Sequence, residues 1–351
     1  MSWVQELARP DIVALKPYEH ASWEHGLERL HANELPWRPA EDDSAAGLNR
    51  YPQPQPRALV EALAALYSVP PASVLVGRGS DEAIDLLTRA FCRAGSDSIL
   101  VCPPTFGMYS VCARIQGAQV VQAPLRAAEG FALDAGALLA RCAPGVKLVF
   151  LCSPNNPTGN LLDEAAVLRV VRELAGRALV IVDEAYVEFA GRPSLARLVA
   201  ELPNLAVLRT LSKAYGLAGA RCGALIADPQ VIALLRKIIP PYAIPQPTLE
   251  AALHRLTPAG LAATRAAVAV LLEERERLMA ELPRLACITG VWPSAANFVL
   301  AEFVDAAAAL ARAREARLLV RDARGYPGLG CALRITVGTP EQNGRLLEAW
   351  R

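Results

Sequence analysis

Lysine is scarce in this chain. Of 36 positively charged residues only Lys16, Lys147, Lys213 and Lys237 are lysines, so ordinary surface charge is written as arginine. A lysine retained in such a sequence can do what arginine cannot: lose its proton when desolvated and condense with a carbonyl. A surplus of one charge sign is also missing. The formal net charge is +1, there is no dense Lys/Arg block to follow a phosphate backbone, and a nucleic-acid partner is not expected. Long apolar runs are absent, and no window approaches the roughly 18 uncharged residues of a membrane span. The opening "MSWVQELARPDIVALKPYEH" meets charge early and lacks an apolar core followed by small residues, unlike a secretory signal. A cytoplasmic location without membrane contact is the expectation.

No CxxC pair occurs among the eight cysteines, which lie scattered from Cys92 to Cys331, most in apolar contexts. They read as reduced core residues. Neither HExxH nor a Cys/His zinc spacing is present; His20, His25 and His31 crowd the N-terminus and suit loop or pocket-edge roles, so no metal is expected.

What is there is apolar material, 53% of 351 residues, enough for more than one core. Short β-branched runs alternate with helical patterns: "VLV" (Val74–Val76), "SILVC" (Ser98–Cys102), "AQVVQA" (Ala118–Ala123), "KLVFLC" (Lys147–Cys152), "ALVIV" (Ala178–Val182), "LAVLR" (Leu205–Arg209) and "CGALIA" (Cys222–Ala227). Several are apolar on both faces, as in a parallel sheet covered by helices, and the rhythm predicts a doubly wound α/β domain. Near residue 240 the pattern changes. Four prolines in "IPPYAIPQPTLE" precede a long amphipathic helix expected from Leu256 to Leu282, then strand and helix patterns of a smaller α+β domain. The predicted division is an N-terminal segment 1–45, a large domain 46–240 and a small domain 241–351.

In an open α/β sheet, ligands bind beyond the carboxyl ends of the strands. Three such ends carry unusual polar residues: "CSPNNPTG", "DEAY" and "TLSKAYG". Asn156, Asp183 and Lys213 are about one βα unit apart, so they should meet on one edge. Singly, each has a plain reading: a turn, a structural ion pair, a salt-bridge partner. Jointly they suit an aldehyde cofactor with a cationic ring nitrogen, lysine on the aldehyde, aspartate on the ring proton, asparagine on the ring hydroxyl. "GRGSDEAI" (Gly77–Ile84) offers a helix N-terminus for a phosphate, with Ser212 and Arg221 within reach, although Ser80 and Asp81 are also ordinary helix caps. In "ALRITVG", Arg334 and Thr336 alternate with Leu333 and Ile335, so Arg334 lies opposite the apolar face.

"CSPNNPTG", "VDEAYVEF" and "RTLSKAYGLAGARCG", in this order, resemble the aminotransferase family of fold-type I pyridoxal phosphate enzymes. "HANELPW", "NRYPQPQP", "GRGSDEAIDLLTRAF", "CPPTFGMYSV", "LLVRD" and "ALRITVGT" are similar to its histidinol-phosphate aminotransferase branch. The resemblance spans nearly the whole chain. It implies a large domain with a mostly parallel seven-stranded sheet, a smaller α+β domain, and an N-terminal segment packed on the small domain and active site. It also implies pyridoxal 5'-phosphate as cofactor, with Lys213 as Schiff-base lysine and proton carrier and Asp183 on the ring nitrogen. By the same resemblance Asn156 and Tyr186 hold the ring oxygen. Phe106 stacks on the ring in a position where many relatives carry tyrosine. Ser80, Asp81, Ser212 and Arg221 surround the phosphate, which Tyr51 reaches from the neighbouring subunit of a homodimer. Arg334, Arg321 and Tyr18 match substrate-anion positions, and Asn33 lies in the segment covering the pocket. The implied substrates are histidinol phosphate and 2-oxoglutarate with glutamate as product; an aromatic amino-acid aminotransferase and a threonine-phosphate decarboxylase stay open as alternatives.

Overall fold

The computed structural model describes residues 2–21 and 27–351, so His25 lies outside the described residues. Seven strands form one sheet: β1 (Val74–Gly77), β2 (Ser98–Val101), β3 (Gln119–Gln122), β4 (Val146–Cys152), β5 (Leu179–Asp183), β6 (Leu205–Thr210) and β7 (Gly223–Ile226). Their order is β1-β7-β6-β5-β4-β2-β3. β2 to β6 run parallel to one another, and β7 is antiparallel to both β6 and β1. Each predicted strand is present within one or two residues of its expected ends. Every residue of β1, β2, β5, β6 and β7 is buried, as continuous apolar runs require when helices cover both faces.

Those helices are α3 (Arg57–Tyr67), α6 (Ala135–Arg141) and α7 (Glu164–Glu173) on one side, with α4 (Ser80–Phe91), α5 (Met108–Gln116) and α8 (Pro229–Leu235) on the other. Two short helices, α1 (Trp3–Leu7) and α2 (Pro10–Ala14), open the chain. Val4, Leu7 and Ala8 join the apolar layer of α4 and α8, and Lys237 Nζ donates to the Val13 carbonyl at 2.6 Å. Residues 2–14 thus sit on the large sheet's helices rather than on the small domain.

A second sheet, β10-β11-β9-β8, is antiparallel throughout: β8 (Ile288–Val291), β9 (Phe298–Phe303), β10 (Arg321–Asp322) and β11 (Ala332–Thr336). Its buried face packs on α10 (Pro258–Glu281), α11 (Ala306–Glu315) and α12 (Pro340–Trp350) around Phe303 and Trp350. The proline-rich stretch holds a helix that was not expected, α9 (Gln246–Arg255), with Pro247 in its first turn, where a missing N–H costs no hydrogen bond. It meets α10 at 74°. Among the described residues no single helix is long and apolar enough to cross a membrane, and all eight cysteines are free thiols.

Candidate active site

Strand register brings the site together. Cys152 at the end of β4 lies opposite Asp183 at the end of β5, and Asp183 lies opposite Leu208 of β6. The chain therefore leaves three parallel strands at one edge, carrying Asn156, Asp183 and Lys213 outward side by side. Because β7 is antiparallel, its first residue, Gly223, faces both Thr210 and Gly77. That pairing brings Arg221 and the start of α4 to the same edge. The resulting cavity, about 300 Å³, is lined by Lys213, Asp183, Asn156, Tyr186 and Phe106, by Ser80, Asp81, Ser212 and Arg221, and by Arg321 and Arg334 from the small domain.

Asp183 is buried. Its Oδ1 accepts from the Ala185 N–H at 3.1 Å and its Oδ2 from the Tyr109 hydroxyl at 2.7 Å. Burial nevertheless pushes the carboxyl up to about 6, because desolvation outweighs both hydrogen bonds. Lys213 projects into the cavity with Nζ 5.7 Å from the centre of the Tyr186 ring. Burial, and then the positive charge of Arg334, lower its pKa, which favours the nucleophilic amine. The turn that presents it is held by Leu217 N donating to Leu211 O and Gly216 N to Lys213 O. Beneath the turn, the buried Arg209 pairs with Glu188 at 2.5 Å and lies over the Tyr67 ring.

The phosphate-sized corner depends on two glycines. Gly79 has φ +86, and a Cβ there would lie 2.7 Å from Arg221 Nη2; a Cβ on Gly223 would lie 2.7 Å from the Gly79 carbonyl carbon and 2.8 Å from Ser80 N. Their bareness lets Arg221 lie against Gly79, the residue just before α4. From there Arg221 donates to Ser212 Oγ at 3.2 Å and to Asp81 Oδ2 at 3.3 Å. A helix N-terminus, a serine and a guanidinium meeting in one corner suit an anion.

Across the cavity, Leu333 and Ile335 are buried in the small domain's core while Arg334, between them, faces the site. Its Nη1 donates to Asn156 Oδ1, whose own amide points at the Tyr186 hydroxyl at 3.5 Å. The guanidinium lies 5.2 Å from the Phe298 ring centre, and its buried Nε has no hydrogen-bond partner among the described residues. Arg321 is directly opposite Arg334 in the β10–β11 register. Two arginines paired across strands, one with an unsatisfied donor, leave room for an anionic ligand group.

Three expected residues lie elsewhere. Tyr51 stacks on Tyr242 with ring centres 4.5 Å apart, and together with Asn33 it lines a separate surface groove; Tyr18 is 70% exposed beside Arg236 and Lys237. None of them lines this chain's own cavity. Conversely, Tyr109, Phe298 and Tyr326 take part in the site without having been singled out. Tyr109 follows Phe106 by one helical turn, and Phe298 opens β9 opposite Thr336; the first was findable by helical spacing, the second only by knowing the strand pairing.

The residues present fit pyridoxal phosphate: a buried carboxylate for the ring nitrogen, a lysine without a hydrogen bond among the described residues, and an anion corner floored by glycine. Fold and site define a lysine-based pyridoxal phosphate enzyme. A family model described as "Aminotransferase class I and II" matches residues 30–349. A histidinol-phosphate aminotransferase of Stenotrophomonas maltophilia (strain R551-3) is 51% identical, covering 99% of this chain and 96% of its own; one of Xanthomonas euvesicatoria pv. vesicatoria (strain 85-10) is 48% identical over 99% and 97%. The crystal structure of histidinol-phosphate aminotransferase from Sinorhizobium meliloti in complex with pyridoxal-5'-phosphate superposes with a TM-score of 0.77 at 26% identity, covering 86% of this chain and 82% of that one. The chain belongs to the class I and II aminotransferases and, within them, to the histidinol-phosphate aminotransferases.

Proposed function

We propose that this chain transfers the amino group of L-histidinol phosphate to 2-oxoglutarate, giving imidazole acetol phosphate and L-glutamate, in two alternating half-reactions at one site. The observation that carries the reading is the Arg334–Arg321 pair, which opens on the same cavity as Lys213 and Asp183. Relatives that share about half of this sequence over its whole length carry that enzyme's name. When bound, pyridoxal phosphate supplies an electrophilic aldehyde and an electron-withdrawing ring. Lys213 holds it and then carries the proton to and from the substrate carbon, a task its lowered pKa suits. Asp183 holds the proton on the ring nitrogen, Asn156 and Tyr186 face the ring oxygen, and Phe106 covers one ring face without the hydroxyl of a tyrosine. Ser80, Asp81, Ser212 and Arg221 surround the phosphate.

Arg334, with Arg321, takes the phosphate of one substrate and a carboxylate of the other through its planar fork. Because the two substrates visit in turn, one anion site serves both. The enzyme works as a homodimer in which Tyr51 of one protomer completes the phosphate site of its partner and the segment around Asn33 covers the pocket. What supports this is the exposed apolar surface of Leu30, Leu35, Trp37 and Tyr51, too large a run to leave in water. The large and small domains meet near residue 240, and residues 27–45 belong to the covering segment. Eight free thiols favour a reducing, cytoplasmic setting.

The test is a panel of amino donors, namely histidinol phosphate, histidine, phenylalanine and threonine phosphate, each with 2-oxoglutarate. Histidinol phosphate is expected to have the highest kcat/KM, by at least about tenfold for a second charged contact. Preference for phenylalanine, or carbon dioxide release from threonine phosphate, would replace the reading.

A further inference from the structure

We propose that Tyr109 is a positioning residue for Asp183, keeping its carboxylate ionised and turned toward the cofactor's ring nitrogen. The inference rests on the cofactor reading above, and nothing in that reading uses Tyr109. The tyrosine lies in the first turn of α5, three residues after Phe106, and is completely buried. Its ring stacks on Phe150 with centres 4.7 Å apart and planes 9° apart, and meets Phe106 edge-on at 5.6 Å. Clamped this way, the phenol has no freedom to swing, and its hydroxyl donates to Asp183 Oδ2 at 2.7 Å. Ala185 N–H holds the other oxygen at 3.1 Å.

Every other group around Asp183 acts by charge or not at all. Lys213 favours the ionised carboxylate and Asp81 opposes it, both through space. The Cys152 thiol, beside Asp183 on the neighbouring strand, is pushed up by burial and stays neutral. Burial and the adjacent carboxylate likewise hold the Tyr109 hydroxyl protonated, so it is a donor throughout the working pH range. A hydrogen bond to the charged form is the one local interaction that counters desolvation without adding charge. Tyr109 and the Ala185 amide are therefore the two fixed donors that keep an anion in an apolar place. Helix α5 and its leading loop thus bring two parts to the cofactor at once: Phe106 against the ring face, and Tyr109 behind the group that meets the ring nitrogen.

The experiment uses Tyr109→Phe, which keeps the ring stack and removes one oxygen. Cofactor labelled at the ring nitrogen is bound to wild type and variant, and its NMR shift is read across pH alongside the dissociation constant of the cofactor. Wild type should show a protonated ring nitrogen. The variant should move toward the unprotonated shift, bind the cofactor about tenfold more weakly and lose kcat more than KM. The same substitution in an Asp183→Asn background should change the dissociation constant by less than about twofold, because the partner is gone. An unchanged ring-nitrogen shift in Tyr109→Phe, or an equal loss of affinity in both backgrounds, overturns the proposal. If Tyr109→Phe fails to fold while the double variant folds, the unpaired carboxylate is the cause and the proposal stands; if both fail, Tyr109 is only part of the core. A wild-type chain that binds no pyridoxal phosphate removes the cofactor reading itself, and this inference with it.

Discussion

A carboxylate at the buried end of a core strand works against the stability of the empty protein. Asp183 has an ordinary unfolded-state value of 3.8 and is pushed up to about 6 in the fold by burial. Below the lower value both states are protonated and the group is neutral to stability. As pH rises from 3.8 to about 6 the unfolded chain ionises first, so the cofactor-free fold loses up to about 3 kcal/mol. Cofactor-free Asp183→Asn should therefore be more stable than wild type above pH 6. The gap between their melting temperatures should open between about pH 4 and 6. Calorimetry of the two proteins across that range checks this, and a gap independent of pH would show that burial does not raise the Asp183 carboxyl above its unfolded-state value. With cofactor bound the order should reverse, since only the carboxylate pairs with a ring proton. Asp183 and Lys213 were legible in the sequence because Asp183 ends an apolar strand with a polar side chain and Lys213 follows the end of the next by three residues. Helical spacing puts Tyr109 beside Phe106, but its role on Asp183 was not legible, since one aromatic residue in an amphipathic helix looks like core until its hydroxyl's partner is known.

At the scale of elements, the parallel strands were readable because burial on both faces leaves continuous apolar runs, from "LVIVD" to "LAVLRT". Helix α9 was hidden by its prolines, which look like a linker unless the first-turn exception is applied. The anion corner depends on the meeting of β7, α4 and the Arg221 turn, and only register places Gly223 against Gly77. Gly79→Ala puts a methyl group into Arg221 and into a backbone with φ +86. Strain and overpacking of this kind cost roughly 1–3 kcal/mol. The affinity for pyridoxal phosphate should fall about tenfold or more, while that for pyridoxal, which lacks the phosphate, should hardly change. Titration of both ligands distinguishes this from general unfolding, which would weaken both equally.

At the scale of the whole molecule, the site lies between two sheets and, on the proposed reading, between two chains. Asn156 from the large sheet and Arg334 from the small one touch directly, so any movement between the sheets changes the anion site. Tyr51 lies outside its own chain's cavity. Mixing Tyr51→Ala chains with Lys213→Ala chains should then rebuild one intact site in each mixed dimer. Random pairing gives about a quarter of wild-type activity from two weak parents. Activity equal to the average of the parents would mean that each chain builds its site alone. The central claim is that one cavity moves an amino group between two substrates with Lys213 as its proton carrier, and single-turnover absorbance tests it most directly. Wild type mixed with histidinol phosphate alone should lose the absorbance of its bound cofactor and form one ketone product per site. Adding 2-oxoglutarate should then restore the absorbance and release one glutamate, while Lys213→Ala does neither, at least about 1,000-fold slower. A wild-type spectrum that histidinol phosphate leaves unchanged, or a Lys213→Ala protein that completes both steps at the wild-type rate, would contradict the account.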